Sequence, residues 1–264
     1  MQIDLKDLCF GYKDEFCLKD ISLQISQGES IAIMGLNGSG KTTLLNLLAG
    51  LIKPSSGEVL SDGMSIHKDK KAIREYWAKI GYLLQLSERM VFSSTVKKEI
   101  EYSLKARNFK KDIRQDLISK AINLAGVDSK HMERHPMTLS GGELRKVEIA
   151  SVLSYNPELI LFDEPLAGLD LDSRMNFYRL LDEIKGKCSV VMVTHDASSA
   201  LRMNRLIVLE NGRIKYDGDS SVILNNDIYC EIGIEINELI SINAILKARG
   251  IDYEDSLREV LNEI

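Results

Sequence analysis

The sequence predicts an α/β fold built around a parallel sheet, and three apolar runs are the main reason. Residues 30–34, 159–162 and 189–193 are almost continuously apolar, and each run precedes a segment with helical periodicity. Strands that are apolar on both faces are typical of parallel sheets covered by helices. We therefore expect an α/β core joined by an antiparallel β part, an inserted α-helical part and a short helical C-terminal tail.

Two alternating segments predict the antiparallel part. Residues 3–8 and 18–25 alternate apolar and polar side chains, which is the pattern of a sheet with one face in water. Asp62-Gly63 and Asn211-Gly212 lie between strand-like runs and are typical hairpin turns. We expect antiparallel strands near the N-terminus and a hairpin at each dipeptide.

The inserted helical part is predicted by a change of period. Between residues 95 and 126 the apolar spacing changes from two residues to the helical repeat. No Pro/Gly/Ser-rich linker flanks this block, so we predict an insertion over about residues 86–155 within one domain, residues 1–232. The two predicted apolar faces contain Val96, Ile100 and Leu104, and Ile113, Leu117, Ala121 and Leu124.

The last segment, residues 233–264, is predicted to be a helical tail. Its apolar residues form one stripe at helical spacing, from Tyr253 to Ile264. Such a stripe packs either on the chain's own core or on a partner chain, and the pattern leaves both open. The tail is therefore a possible dimerisation element.

Composition excludes several classes of protein. The chain has 264 residues and a net charge of −5, so it has no overall positive field, and we expect no nucleic-acid partner. No apolar stretch approaches the roughly 18–20 residues that cross a bilayer, and the N-terminal residues lack a signal-peptide profile. The four scattered cysteines indicate reduced thiols in a cytosolic protein.

A phosphate-binding pattern, G-x-x-x-x-G-K-[ST], follows the first apolar run. Its glycines let successive N–H groups turn inward around phosphate oxygens, and the helix that follows adds the positive end of its dipole. We expect Lys41 to reach the β- and γ-phosphates and Thr42 to bind Mg²⁺. The candidate nucleotide-binding residues are Gly35, Asn37, Gly38, Ser39, Gly40, Lys41, Thr42 and Thr43.

Two carboxylates follow the second apolar run. Asp163 is expected at the end of a buried strand, where a hard carboxylate oxygen suits Mg²⁺ directly or through water. Glu164 comes next and could polarise the attacking water as a general base. The other interpretation is that the two acids only cap the next helix.

A second glycine turn, Leu139-Ser140-Gly141-Gly142-Glu143, precedes another helical pattern. Ser140 and Glu143 have the spacing of a capping box, so Ser140 is predicted to start a helix whose free N–H groups face outward. The turn can form a second anion site, and two chains arranged head to tail could each complete the other's site. Without its context, the same segment is an ordinary turn and helix cap.

In this order the motifs resemble the nucleotide-binding subunits of ABC transporters over nearly the whole chain. The resemblance implies binding and hydrolysis of ATP with Mg²⁺, with Lys41, Gln85, Glu164 and His195 as the catalytic group. Tyr12 resembles the aromatic residue that stacks on adenine, and Gln85 a further Mg²⁺ contact. By the same resemblance, Ser140, Gly141, Gly142 and Glu143 contact the ATP held by the opposite subunit, Asp170 lies at the dimer seam, and His195 contacts the γ-phosphate.

Within that family the sequence looks most like the ATPases of energy-coupling factor transporters, which take up vitamins and metal ions. This resemblance implies a second ABC ATPase subunit, identical or different, a transmembrane coupling subunit and a substrate-capture membrane protein. It also implies a peripheral location on the cytoplasmic face of the membrane. The sequence departs from the group's pattern in three places: Leu86-Ser87 follows Gln85 where Asn-Pro or a similar pair is usual, Met90 replaces a second glutamine, and Glu143 stands where glutamine is frequent.

The segment after Gln85 is also expected to form the groove for a helix of the membrane subunit. Val91 and Phe92 are the candidate anchors, because buried anchors usually dominate an interface over rim charges. The candidate rim charges are Arg89, Lys97 and Glu99.

Other functions remain open from the sequence: an ATPase of another ABC importer or exporter, or a soluble assembly-factor ATPase. A small-molecule kinase is disfavoured because it would not need the second glycine turn.

Overall fold

The computed structural model describes residues 1–12, 15–84 and 91–224. The predicted tail, residues 233–264, and the candidate residue Gln85 lie outside these ranges. Among the described residues, no helix has both the length and the apolar character needed to cross a bilayer.

The described residues form ten strands and seven α-helices. The strands are β1 (Ile3–Tyr12), β2 (Glu15–Ile25), β3 (Ser30–Met34), β4 (Ser56–Ser61), β5 (Met64–Ser65), β6 (Ile80–Leu83), β7 (Leu159–Asp163), β8 (Ser189–Val193), β9 (Arg205–Glu210) and β10 (Arg213–Asp219). The helices are α1 (Lys41–Leu48), α2 (Lys70–Lys79), α3 (Val96–Ala106), α4 (Lys111–Ala125), α5 (Gly141–Leu153), α6 (Leu171–Ile184) and α7 (Ala197–Leu201).

The central sheet has six strands in the order β10-β9-β3-β8-β7-β6, and all neighbours are parallel except β10 and β9. Its three predicted strands are fully buried on both faces. Ile31 and Ile33 of β3 pack in one hydrophobic cluster, while Ala32 and Met34 pack in the other. The prediction of a parallel, doubly covered sheet is confirmed.

A second sheet, in the order β2-β1-β4-β5, is antiparallel throughout. Asp62-Gly63 joins β4 to β5, and Asn211-Gly212 joins β9 to β10. Asp62 and Asn211 have positive φ, the conformation that such two-residue hairpins require. Both predicted hairpins are confirmed.

Helices α3, α4 and α5 form the helical part between β6 and β7. Val96, Ile100 and Leu104 are fully buried, which confirms the first predicted face. The second face was only partly right, because the buried residues of α4 include Ile118 and Ala125 as well as Ala121. Ile113 is exposed, since α4 packs against α5 and α6 through a face rotated from the predicted one.

The topology brings three predicted motifs to one edge of the sheet. Strands β3, β8 and β7 are adjacent and parallel, so their carboxyl ends meet. Gly35 follows β3, Glu164 follows β7, and Thr194-His195 follows β8. Ligand sites of open parallel sheets lie at this edge.

Candidate active site

The first glycine turn, residues 35–42, has a backbone that requires glycine. Gly35, Gly38 and Gly40 have φ values of 144°, 81° and 103°, in the region that side chains rarely adopt. A Cβ on Gly35 would also collide with the carbonyl oxygen of Leu209. The turn ends at α1, so the free N–H groups of that helix open onto the same space.

Lys41 is the first residue of α1, and its side chain is buried against the turn. Its Nζ donates to the carbonyl oxygens of Gly35 at 2.7 Å and Leu36 at 3.0 Å. Burial lowers the pKa of Lys41, while the carboxylates of Glu164 and Asp163 raise it. The ammonium group therefore lies within the turn, beside the two acids.

Thr42 and Asp163 place two oxygen donors together. Thr42 Oγ1 donates to Asp163 Oδ1 at 3.4 Å, across the gap between α1 and the end of β7. Burial raises the pKa of Asp163, while the Thr42 hydroxyl and the charges of Lys41 and Arg145 lower it. A hydroxyl and a carboxylate are hard oxygen ligands, so this pair fits Mg²⁺.

Glu164 occupies a turn immediately after β7. Its φ is 47°, and its backbone N–H donates to the carbonyl of Val193 at 3.0 Å. Burial raises the pKa of the Glu164 carboxyl to about 7, against lowering by a hydrogen bond from the His195 backbone and by the charge of Lys41. A carboxyl with this pKa can accept a proton at neutral pH, as a general base requires.

His195 faces Glu164 from the end of the neighbouring strand. Its Nε2 lies 3.4 Å from Glu164 Oε1. The loop that carries it is fixed by Asp196, which caps α7 and accepts hydrogen bonds from the Ser199 backbone at 2.7 Å and the Tyr178 hydroxyl at 3.0 Å. Sequence reasoning missed Asp196 and Tyr178, although an Asp before a helical run is a recognisable cap signal.

These groups line one cavity of about 690 Å³ at the edge of the sheet. Cys17 of β2 also lines it and was not predicted; its thiol lies 3.2 Å from the Thr43 hydroxyl. The lining residues are Cys17, Leu36, Asn37, Gly38, Gly40, Lys41, Thr42, Thr43, Asp163, Glu164, Ala167, Val193 and His195.

Three of the residues predicted to bind the chain's own nucleotide do not line this cavity: Tyr12, Gly35 and Ser39. Ser39 is buried within the turn. Tyr12, at the end of β1, is 54% exposed and packs edge-on against Phe10, with ring centroids 4.9 Å apart. An exposed ring is available for stacking, but the structure does not place it against the cavity wall.

The second glycine turn begins α5 with the predicted capping box. The Ser140 backbone N–H donates to Glu143 Oε2 at 2.9 Å, and the Glu143 N–H donates to Ser140 Oγ at 3.3 Å. Glu143 Oε1 lies 3.2 Å from Nε2 of the buried His131. Hydrogen bonds from Ser140 lower the pKa of Glu143, so its carboxylate is occupied in holding the turn.

The two glycines of this turn have different surroundings. A Cβ on Gly142 would lie 2.7 Å from Ser173 Oγ, so α6 packs close to this glycine and the Ser173 hydroxyl would have to move to admit a side chain. A Cβ on Gly141 would meet no described atom within 4 Å. Asp170 caps α6 by accepting from the Ser173 N–H at 2.8 Å, which places this candidate beside the second turn.

The two turns do not share a cavity within the described residues. The cavity at the first turn is lined by no residue of 139–143. A separate hollow of about 230 Å³ lies beside the second turn, and Leu139, Glu143 and Lys146 contribute to it. The two candidate anion-binding turns therefore lie at separate places in the described chain.

A phosphate-binding turn, paired acids and a capped second glycine turn on this sheet define a P-loop ATPase of the ABC class. The chain belongs to the ABC transporter family, whose model matches residues 18–167.

Similar proteins agree with this assignment. The energy-coupling factor transporter ATP-binding protein EcfA1 of Mycoplasma mobile is 35% identical over 87% of this chain and 84% of its own length. EcfA2 of Clostridium tetani is 31% identical over 97% of this chain and 93% of its own length.

Solved structures show the same fold. CbiO1 of Clostridium perfringens, part of the ABC transporter complex cbiONQ, has a TM-score of 0.77 and 28% identity over 91% of this chain and 97% of its own. The ATP-binding cassette MJ0796, a dimer in a post-hydrolysis state with ADP and Pi, has a TM-score of 0.76 and 30% identity over 83% of this chain and 98% of its own.

Proposed function

We propose that this chain is the ATP-hydrolysing subunit of an energy-coupling factor type importer for a vitamin or metal ion. The names of its relatives support this function over that of a soluble assembly factor or another ABC importer or exporter. The ATPase works on the cytoplasmic face of the membrane, beside a separate coupling subunit and a substrate-capture protein.

ATP is bound by the first turn of this chain and the second turn of a facing ATPase subunit, identical or different. The observation that carries this proposal is Gly141, which lacks a side chain although the described chain leaves room for one. A glycine is required there if another molecule's phosphate approaches the backbone. The dimeric cassette with ADP and Pi supports a paired arrangement.

Exposed apolar side chains beside the turns support the same pairing. Leu36 lies in the first turn, Met137 shortly before the second, and Leu171 directly after Asp170. Leu171 is 73% exposed. Burying these side chains against a facing subunit would stabilise the pair at the same surface that holds the nucleotide.

Each residue of the first cavity has a distinct role in the proposed chemistry. Lys41 leaves its two carbonyl partners to bind the β- and γ-phosphates, and the N–H groups of the turn hold the remaining oxygens. Thr42 and Asp163 hold Mg²⁺, which offsets phosphate charge when bound. Glu164 accepts the proton of the attacking water, and His195 contacts the γ-phosphate. Gln85 has a supporting Mg²⁺ contact in this proposal.

The membrane subunit docks beside the start of α3. Phe92 is 64% exposed and packs edge-on against Tyr102, with ring centroids 4.7 Å apart. Glu99 accepts hydrogen bonds from the Phe92 and Ser93 N–H groups at 3.4 and 2.9 Å. Glu99 therefore shapes the loop that presents Phe92, which is a different role from the rim charge we expected.

The proposed pairing is tested with hydrolysis disabled. Glu164→Gln should retain ATP and form a closed pair, visible as a doubled molar mass by light scattering after gel filtration with ATP and Mg²⁺. If an identical partner is not used, the pair should form with the copurifying ATPase. A variant that stays monomeric with every copurifying subunit would contradict the pairing.

Membrane coupling is tested by Phe92→Ser in the assembled transporter. Transport should be lost while basal ATP hydrolysis persists, because Phe92 is not among the residues that line the ATP cavity. Ile113→Ser, another exposed apolar residue of the helical part, is the matched control and should leave both activities unchanged. Equal loss of transport and hydrolysis in Phe92→Ser would contradict the docking site.

A further inference from the structure

Arg145 connects three parts of the chain from one buried position on α5. The residue is 8% exposed. Its Nε donates to the carbonyl oxygen of Pro165 at 3.3 Å. Its Nη1 donates to the carbonyl oxygen of Leu84 at 3.0 Å and to Glu148 Oε2 at 3.2 Å.

Both carbonyl groups adjoin candidate catalytic residues along the chain. Pro165 directly follows Glu164, and Leu84 directly precedes Gln85. The guanidinium group therefore holds the main chain one residue away from the proposed base and one residue away from the proposed Mg²⁺ contact.

The turn at Glu164 needs such support, because a glutamate at a φ of 47° is in a sparsely populated region. Two backbone hydrogen bonds fix the turn from within: Glu164 N–H to Val193, and Ala167 N–H to the Glu164 carbonyl at 3.2 Å. Arg145 adds a side-chain hydrogen bond to the next carbonyl, from the helix that begins at the second turn.

Arginine suits these contacts better than lysine. Its planar guanidinium carries donors in fixed, divergent directions, whereas an ammonium group is a compact point charge. Glu148, one turn along α5, offsets the buried positive charge. The pair thus behaves as one unit, and its donors are directed at main-chain carbonyls.

We propose that Arg145, held by Glu148, is a positioning residue that fixes the main chain beside Glu164 relative to the second glycine turn. This inference rests on the proposed function. In the proposed pair, the second turn contacts the ATP bound by the facing subunit, whereas Glu164 acts on the ATP bound by its own chain. Arg145 therefore connects, within one chain, parts of two different ATP sites.

The inference is tested by Arg145→Lys in the full chain, assembled with its copurifying subunits. The kcat of ATP hydrolysis should fall at least about tenfold, because small displacements of a catalytic group are costly. The KM for ATP and the Kd for a fluorescent ATP analogue should change by less than about twofold, since the binding turn is untouched. The double variant Arg145→Met/Glu148→Leu removes both members of the ion pair together and should show the same kcat loss.

Arg114→Lys is the matched control. Arg114 also donates from Nε to a carbonyl, that of Phe109 at 2.8 Å, and pairs with a carboxylate, Glu101 at 3.4 Å. Arg114 lies on α4 and does not line the ATP cavity, so Arg114→Lys should leave the kcat of ATP hydrolysis unchanged.

A purely structural role for Arg145 predicts a different result. Its variants would then melt at a lower temperature while the folded fraction kept the wild-type kcat, and that result would overturn the inference. If Arg145→Lys keeps the wild-type kcat while Glu164→Gln loses hydrolysis, the positioning role of Arg145 is refuted and the proposed function is not. A Glu164→Gln chain that hydrolyses ATP at the wild-type rate would refute the proposed catalytic site itself.

Discussion

The two glycine turns differ in how far the chain's own fold requires their glycines. In the first turn, residues 35–42, positive φ values and contacts within the chain already require glycine. In the second, a Cβ on Gly142 would displace the Ser173 hydroxyl, and a Cβ on Gly141 would meet no described atom. The first turn is closed around its own lysine, whereas the second begins α5 at an exposed glycine, Gly141. The contrast supports the proposal that the first turn is a complete binding turn and the second a half-site completed by a partner.

The largest expected effect is on kcat, in a variant that should leave nucleotide affinity unchanged. Glu164→Gln should lower kcat by about 10²–10⁴-fold, the usual contribution of a general base. Nucleotide affinity should remain near the wild-type value, because the glycine turn and Lys41 are intact. Steady-state hydrolysis and a fluorescent-ATP titration measure the two quantities. Asp172→Asn, an exposed acid in the first turn of α6, is the control and should leave kcat unchanged; a large loss there would weaken the assignment.

The next effect distinguishes the two turns by binding to the isolated chain. Lys41→Ala should weaken ATP binding by about 10–100-fold, since hydrogen bonds from a charged group contribute about 1.5–3 kcal/mol. Lys146→Ala, beside the second turn, should not change binding to the unpaired chain. A fluorescent-ATP titration at low protein concentration checks both. Equal losses of ATP affinity in the two variants would mean that both turns bind one nucleotide within one chain, which would contradict the difference between the turns.

Replacing one glycine of each turn by alanine compares the two turns by the effect on the melting temperature. Gly35→Ala should lower the melting temperature, because the new Cβ meets the Leu209 carbonyl at a φ of 144°. Gly141→Ala should preserve or slightly raise it, since alanine is favoured over glycine in a helix by about 1 kcal/mol. ATP-dependent pairing of the Gly141→Ala chain should nevertheless weaken. Thermal unfolding and light scattering decide; a destabilised Gly141→Ala would mean that its glycine serves the chain's own fold.

The smallest effect is on pH dependence. Burial raises the pKa of Glu164 to about 7 from 4.5, so kcat should fall as the pH decreases below about 7 and the base becomes protonated. For stability the sign is opposite, because a carboxyl with a raised folded-state pKa stabilises the fold at low pH and loses that contribution as pH rises through 7. The titratable groups around it are Lys41, Asp163, His195 and Asp196.

Glu164→Gln stays neutral and tests this stability argument. It should therefore melt about 2–4 °C above wild type at pH 8, with a smaller difference at pH 5.5. Differential scanning calorimetry at the two pH values is the measurement. If the melting temperatures of Glu164→Gln and wild type differ by the same amount at pH 8 and pH 5.5, a raised Glu164 pKa is excluded as the cause of the difference.

Sequence patterns predicted the features that are encoded locally. Continuous apolar runs gave β3, β7 and β8, and the spacing of Ser140 and Glu143 gave the capping box. Strand β6 and helix α2 were not predicted: β6 is short, and its burial comes from pairing with β7. The buried face of α4 was rotated, because packing against α5 and α6 selects it. Arg145 is one of two adjacent basic residues in a helical run, and only the tertiary structure shows its contacts.

The most direct test of the paired site is an experimental structure of the Glu164→Gln assembly with ATP and Mg²⁺. We expect Ser140 and the N–H groups of Gly141 and Gly142 to contact the γ-phosphate of the nucleotide bound by the facing subunit's glycine turn. A triphosphate that touches only its own chain, with the second turn left in solvent, would contradict the paired site.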